Sequence, residues 1–177
     1  MDASHALGAA FLESALFQFR FIKSLGDGAL AQVSDADVAW SPDLETNSIA
    51  LIVKHLHGNM LSRWTDFLTT DGEKESRDRD GEFVGTLSLG ETVRLWEAGW
   101  LVTMGALEPL QPSQLLQIVR IRAKEHTVLD AMHRQIAHYG YHVGQIVQLA
   151  KMRRGAEWRT LSIARGQSLA YKPEGKQ

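Results

Sequence analysis

A chain of 177 residues, 44% of them hydrophobic, carries enough apolar material for one sizeable core. Its net charge of -2 and pI of about 6.4 give no electrostatic case for nucleic acid or an anionic membrane as the main partner. There is no cysteine, which removes disulfides, thiolate nucleophiles and Cys-ligated zinc.

The opening stretch MDASHALGAAFLES lacks a basic segment, and Ser4, His5 and Glu13 break its apolar run, so it does not read as a signal peptide. No stretch approaches the roughly 18 apolar residues of a bilayer span. The expectation is a soluble, cytoplasmic protein with one domain over residues 1–165 and a polar tail over 166–177.

Leu7, Phe11, Ala15, Gln18, Ile22 and Leu25 follow the three- and four-residue spacing of an amphipathic helix over residues 4–25. Gly26-Asp27-Gly28 is read as its end, with one further turn over 29–33. After the turn Ser41-Pro42-Asp43, Asn47 or Ser48 offers an N-cap oxygen to a second helix over 49–68. The segment 73–82, EKESRDRDGE, is charged in both signs and reads as a solvated loop. A third helix follows Ser88 and ends at Pro109 and Pro112. The β-branched run over 117–122 reads as a strand or extended arm, with His126-Thr127-Val128 pairing back on it as a small β-hairpin. The fourth helix spans 128–152 and stops at Gly155; the segment from Trp158 onward reads as extended and laid over the helices. The fold class expected is all-α: a four-helix bundle with a small β-hairpin before the last helix. Gly140 and Gly144, each costing about 0.8–1.0 kcal/mol inside a helix, suggest a close backbone contact with another helix of this chain or of a dimer partner.

The last helix carries the feature that points to chemistry. His138 and His142 lie four residues apart, on one helical face and about 5–6 Å apart at Cβ, where two imidazoles can address one cation. The pair sits off the main apolar stripe and beside Ala131 and Leu149, so both sides of the helix are expected to be covered. Two buried imidazoles then need a partner, and a shared cation would satisfy both. The bland alternative is one core histidine and one exposed. A third ligand would come from His55 or His57 in KHLHGNM, and helical periodicity alone favours His57. His126 and His133 share a different face and read as structural or exposed, and His5 as solvated. The carboxylates Glu13, Asp66 and Glu97 cannot be positioned from sequence, so no catalytic acid or base is assigned.

The segments NSIALIVKHLHGNM, RDRDGEF and HRQIAHYGYHVGQIVQLAKM together resemble the DinB/YfiT-like metalloprotein superfamily, in a branch of bacterial proteins of unknown function. The resemblance runs from the first helix to WRTLSIARGQS and is most specific at HL-x-GN and HYxYHVGQI. It implies a four-helix bundle, commonly a homodimer, with a divalent metal on one histidine of the second helix and the pair in the last. By motif position these are His55, His138 and His142, against the preference of periodicity for His57. His57, Asn59 and Gln145 become candidates to support the ligands. Zinc is the expected ion, with nickel, iron or manganese as alternatives. Three imidazoles leave open coordination positions, where a metal can activate water or a thiolate. The resemblance thus implies a low-molecular-weight-thiol S-transferase or a hydrolase acting on a small molecule; a non-catalytic metal-binding dimer and a metal-free scaffold are the alternatives.

Overall fold

The computed structural model describes residues 2–170. Among them the chain is mostly helical, with five α-helices and one two-stranded antiparallel hairpin. None of these helices is long and apolar enough to cross a membrane.

Helix α1 spans Ala3–Leu30, capped by the Asp2 side chain. It runs straight through Gly26-Asp27-Gly28, where the sequence suggests a stop. The reason is tertiary contact: a Cβ on Gly26 would lie 2.3 Å from the Trp96 ring, and Asp27 accepts hydrogen bonds from Lys23 and the Trp96 indole. The short α2, Asp35–Val38, was not anticipated; its buried Asp37 pairs with Arg153 at 2.8 Å and ties the end of the last helix to this turn.

Helix α3 spans Ile49–Trp64 with Ser48 as its cap, and stops short of residue 68 because Thr65 is extended and Asp66 is left-handed at φ 50°. Helix α4, Leu89–Leu107, starts from a reciprocal Ser88–Glu91 capping box. The long connection between them is not simply solvated. Arg77 and Glu82 are folded inward, with side chains 4% and 7% exposed, and a single 3-10 turn at Gly81–Phe83 places Glu82 against α3.

Strands β1, Ile118–Ile121, and β2, Lys124–Thr127, pair with Ile118 opposite Thr127 and Ile121 opposite Lys124. Their two-residue turn, Arg122-Ala123, has φ of 55° and 60°. Such turns favour Asn or Gly. Here the cost is offset by Asp71, whose carboxylate accepts both turn amides at 2.9 and 2.7 Å. The last helix, α5, spans Val128–Arg154 from a Thr127–Asp130 capping box to Gly155 at φ 52°.

Helix α3 packs chiefly on α4 and α1 on α5, and α3 also meets α5. One cluster of buried apolar residues joins all the long helices and the hairpin. Trp64, Trp100, Phe19 and Tyr139 meet edge to face inside it, with the Trp64 indole donating to the Tyr139 hydroxyl at 3.0 Å.

The tail passes the end of α1, where Gln32, just beyond the helix, brackets the Arg159 backbone and Gly28 leaves room for Leu161. Residues 171–177 of the expected polar tail lie outside the described residues.

The close contact expected at Gly140 and Gly144 is not made within the chain. A Cβ on Gly140 would meet only Ile22, at 3.9 Å, and one on Gly144 nothing within 4 Å. Both border an open groove between α1, α5 and the tail. Two glycine substitutions therefore behave oppositely in urea denaturation. Gly26→Ala forces the indole of Trp96 aside and lowers stability by about 1–3 kcal/mol. Gly144→Ala raises it by roughly 0.8–1.0 kcal/mol through helix propensity; a loss at Gly144 would mean that a second copy's backbone rests there.

Candidate metal centre

Helix α3 delivers His55 and α5 delivers His138 and His142, one turn apart, to a common point. One nitrogen from each ring lies within 4.8 Å of the others, so the group could hold a metal ion. His55 Nε2 and His138 Nε2 are 3.3 Å apart. That matches the edge of a tetrahedron of roughly 3.3–3.4 Å that follows from zinc–nitrogen bonds of about 2.0–2.1 Å.

What surrounds the rings decides which nitrogen is free. His55 Nδ1 lies 2.9 Å from Glu82 Oε2. Burial alone would raise the Glu82 carboxyl, but hydrogen bonds from Arg77 and His55 outweigh it and hold Glu82 below its usual range. An ionised carboxylate can only accept, so His55 Nδ1 carries a proton, and it is Nε2 that a cation could use. The carboxylate is itself clamped: Arg77 Nε donates to Oε1 at 2.7 Å and Nη2 to Oε2 at 2.8 Å. Gly58 makes this approach feasible, because a Cβ there would fall 2.1 Å from Glu82 Oε1. The glycine of KHLHGNM thus has a steric cause.

His142 Nδ1 faces Gln145 Oε1 at 2.8 Å, and Gln145 Nε2 donates to the Tyr141 hydroxyl at 3.2 Å. The amide thereby turns its oxygen to the ring, His142 Nδ1 donates, and Nε2 is again free. His138 differs: its Nδ1 is buried without a partner. Burial first, then the neighbouring His142 and His55, push His138 down to about 3. Burial also lowers His142. Both rings are therefore neutral at physiological pH, the protonation state a metal requires. Without a cation, His55 Nε2 and His138 Nε2, 3.3 Å apart, cannot both present lone pairs to each other, and one of them has to carry a proton. A cation removes that conflict, so these donors fit one.

The site is half-open. His55 is 8% exposed, while His138 and His142 are half-buried. Phe83 stacks on His55 at 4.8 Å and Tyr141 meets His142 edge-on at 5.0 Å; both aromatics reach the surface, at 39% and 64% exposure. A cavity of about 640 Å³ begins beside Tyr141 and Gln145 and includes Asn47 and Gln148.

His57 points elsewhere, donating from Nδ1 to the Leu95 carbonyl at 3.0 Å. Periodicity favoured it because a helical wheel assumes that core and site share a direction. Asn59 is buried with its Oδ1 unpartnered and bonds to none of the three histidines. Exposed His133 packs edge-on against Phe11, His126 lies on β2, and His5 is exposed, all apart from the cluster. Glu13, Asp66 and Glu97 are exposed, and Glu97 pairs with Lys23. The residues that sequence reasoning missed are Glu82 and Arg77. The signal that could have found them is Phe83, an aromatic closing a run of ten residues without an apolar side chain.

Partners that orient a ligating histidine typically contribute 10–100-fold to metal affinity. Glu82→Gln, measured by competition with a zinc chelator, is therefore expected to weaken binding by about that factor while leaving the helical circular dichroism unchanged. Arg77→Met strands a buried carboxylate and is expected to cost roughly 3–5 kcal/mol in stability as well.

No curated protein matches the chain. The family described as "Protein of unknown function (DUF1572)" matches residues 6–167. The chain, with its three histidines and the Arg77–Glu82 pair inside that span, belongs to the DUF1572 family.

Proposed function

We propose that His55, His138 and His142 hold a divalent ion through their Nε2 atoms, and that the protein is a metal-dependent enzyme acting on a small molecule. One observation carries this reading: two of the three rings have their Nδ1 protons engaged by Glu82 and Gln145, so that their lone pairs face the third ring. A histidine serving only the core needs no such arrangement. The resemblance to DinB/YfiT-like proteins supports the same ligand set, a bundle built from α1, α3, α4 and α5, and a homodimer; the cytoplasmic setting we propose rests on the sequence alone. Zinc suits three neutral imidazoles, and nickel, iron or manganese are the alternatives.

A divalent ion with three protein ligands supplies Lewis-acid chemistry at its open positions. The chain's own groups do the rest. Glu82, clamped by Arg77, holds the His55 proton on Nδ1. Gln145 does the same for His142. Phe83 and Tyr141 flank the approach and offer ring faces to an apolar part of a substrate. The amides of Asn47, Gln145 and Gln148 offer hydrogen bonds to the remainder in the adjoining cavity. Glu82 is fully engaged and is no general base. The reactions that suit this setting are transfer to or from a low-molecular-weight thiol, and hydrolysis. A non-catalytic metal site is the second reading, favoured by the cavity's stopping at Tyr141 and Gln145 rather than at the histidines.

Metal analysis of purified, reconstituted protein is expected to find about one equivalent per chain, lost in His138→Ala. A thiol-conjugation and ester-hydrolysis screen on the loaded protein is expected to show activity absent from that variant. Less than about a tenth of an equivalent would remove the metal reading altogether. Full loading with no activity above the variant would leave the non-catalytic site.

A further inference from the structure

Arg77 and Glu82, but none of the three clustered histidines, also line a second cavity, of about 630 Å³, between α3, α4 and the connecting loop. Its walls are amphipathic. Leu61 and Leu95 form an apolar side, and Lys54, Lys74 and Arg77 bring three cationic groups against the two carboxylates of Asp78 and Glu82.

The hydrogen-bond accounts of these groups do not balance. Lys54 Nζ donates to the carbonyls of Gly81 and Val84, and Lys74 Nζ to Thr70 Oγ1 and the Asp71 carbonyl. An ammonium has three N–H groups, so each lysine keeps one unused. Arg77 makes two firm bonds to Glu82 and a long one of 3.5 Å to Glu73, out of five donors. Most of the acceptors are engaged: Glu82 Oε2 serves both Arg77 and His55, Oε1 serves Arg77, and Asp78 Oδ1 holds the Gly81 amide, so that Asp78 Oδ2 remains against the larger number of unused cationic donors. Burial lowers Lys74 against the opposing pull of the Asp66 and Asp71 carboxylates. Unused cationic donors beside an apolar wall define a ligand: a small anion with an apolar body.

We propose that this cavity is a second ligand site, for a carboxylate or phosphate monoester of a small apolar molecule, and that its occupancy is coupled to the metal centre through Arg77, Glu82 and His55. The direction of coupling follows from charge. An anion against Arg77 draws on the guanidinium's remaining donors and relaxes its pull on Glu82. The carboxylate then becomes the stronger acceptor for the His55 proton, and the His55 Nε2 lone pair the stronger donor. The anion's own charge also favours a cation nearby. Anion and metal therefore tighten each other, by the same factor in both directions. The coupling, though not the cavity's binding, rests on the metal reading above.

The test begins with metal-free protein, titrated with benzoate and with phenyl phosphate and followed by amide chemical shifts. Saturable binding is expected, with the largest shifts at Gly58, Lys74 and Ser76, and the tighter of the two probes identifies the head group. Lys74→Gln is expected to weaken it about tenfold, as loss of one charge-assisted bond requires. Ser76→Trp, at an exposed position on the rim, is expected to abolish it. Repeating the benzoate titration with zinc should tighten it severalfold in the wild type and not in His138→Ala, whose cavity is intact. Absence of saturable binding by both probes would overturn the proposal. So would largest shifts at His138 and His142, or undiminished binding by both cavity variants. Equal benzoate affinity with and without bound zinc would overturn the coupling. A wild type that takes up no zinc yet binds the anion would count against the metal reading alone.

Discussion

The Arg77–Glu82–His55 chain of hydrogen bonds is the constraint on which the site depends. A carboxylate 7% exposed is tolerable only with its charge met, and here a bidentate guanidinium and one imidazole meet it. The same contacts fix the protonation of His55, and with it the direction of the lone pair. Remove the clamp and the imidazole can rotate or exchange tautomers; with it, Nε2 is held toward the pair on α5. The geometry of the site is set by a loop as much as by the helices that carry the three histidines.

That loop is held from both ends. Ser62 on α3 donates to the Gly72 carbonyl and accepts the Lys74 amide. Asp71 grips the hairpin turn, and Glu73 reaches Arg122 at 3.2 Å and Arg77 at 3.5 Å. The hairpin therefore acts as a brace, fastening the segment that carries Arg77 and Glu82. Its strained turn is explained by the same contact, since Arg122 and Ala123 stay left-handed only while Asp71 accepts their amides. Local strain at one end supports order at the other.

The four long helices were legible because their causes are local. Ser48 and Ser88 cap, Gly155 terminates, and the three- and four-residue spacing marks the buried faces. The pairing of His138 with His142 was legible for the same reason, being a consequence of helical geometry. What escaped was non-local. The segment over 73–82 reads as solvated because a buried ion pair and a surface one are written with the same letters; only the fold decides which is inside. Helix α1 runs through Gly26 and Gly28 because Trp96 and Leu161 occupy the space a side chain would take there. The hairpin turn carries no glycine because its compensation comes from Asp71, more than fifty positions away in the chain. Periodicity pointed to His57, whereas His55 occupies the edge where α3 faces α5; resemblance in sequence carried that choice, and the hydrogen bond to Glu82 supplies its physical reason.

The most direct measurement is X-ray absorption at the metal edge of the zinc-loaded protein, compared with Glu82→Gln and His55→Ala. The account predicts three imidazole nitrogens at about 2.0–2.1 Å in the wild type. It predicts two in His55→Ala, and in Glu82→Gln a broadened nitrogen shell with the count kept. A wild-type spectrum with one imidazole or none, or one unchanged by His55→Ala, would contradict it.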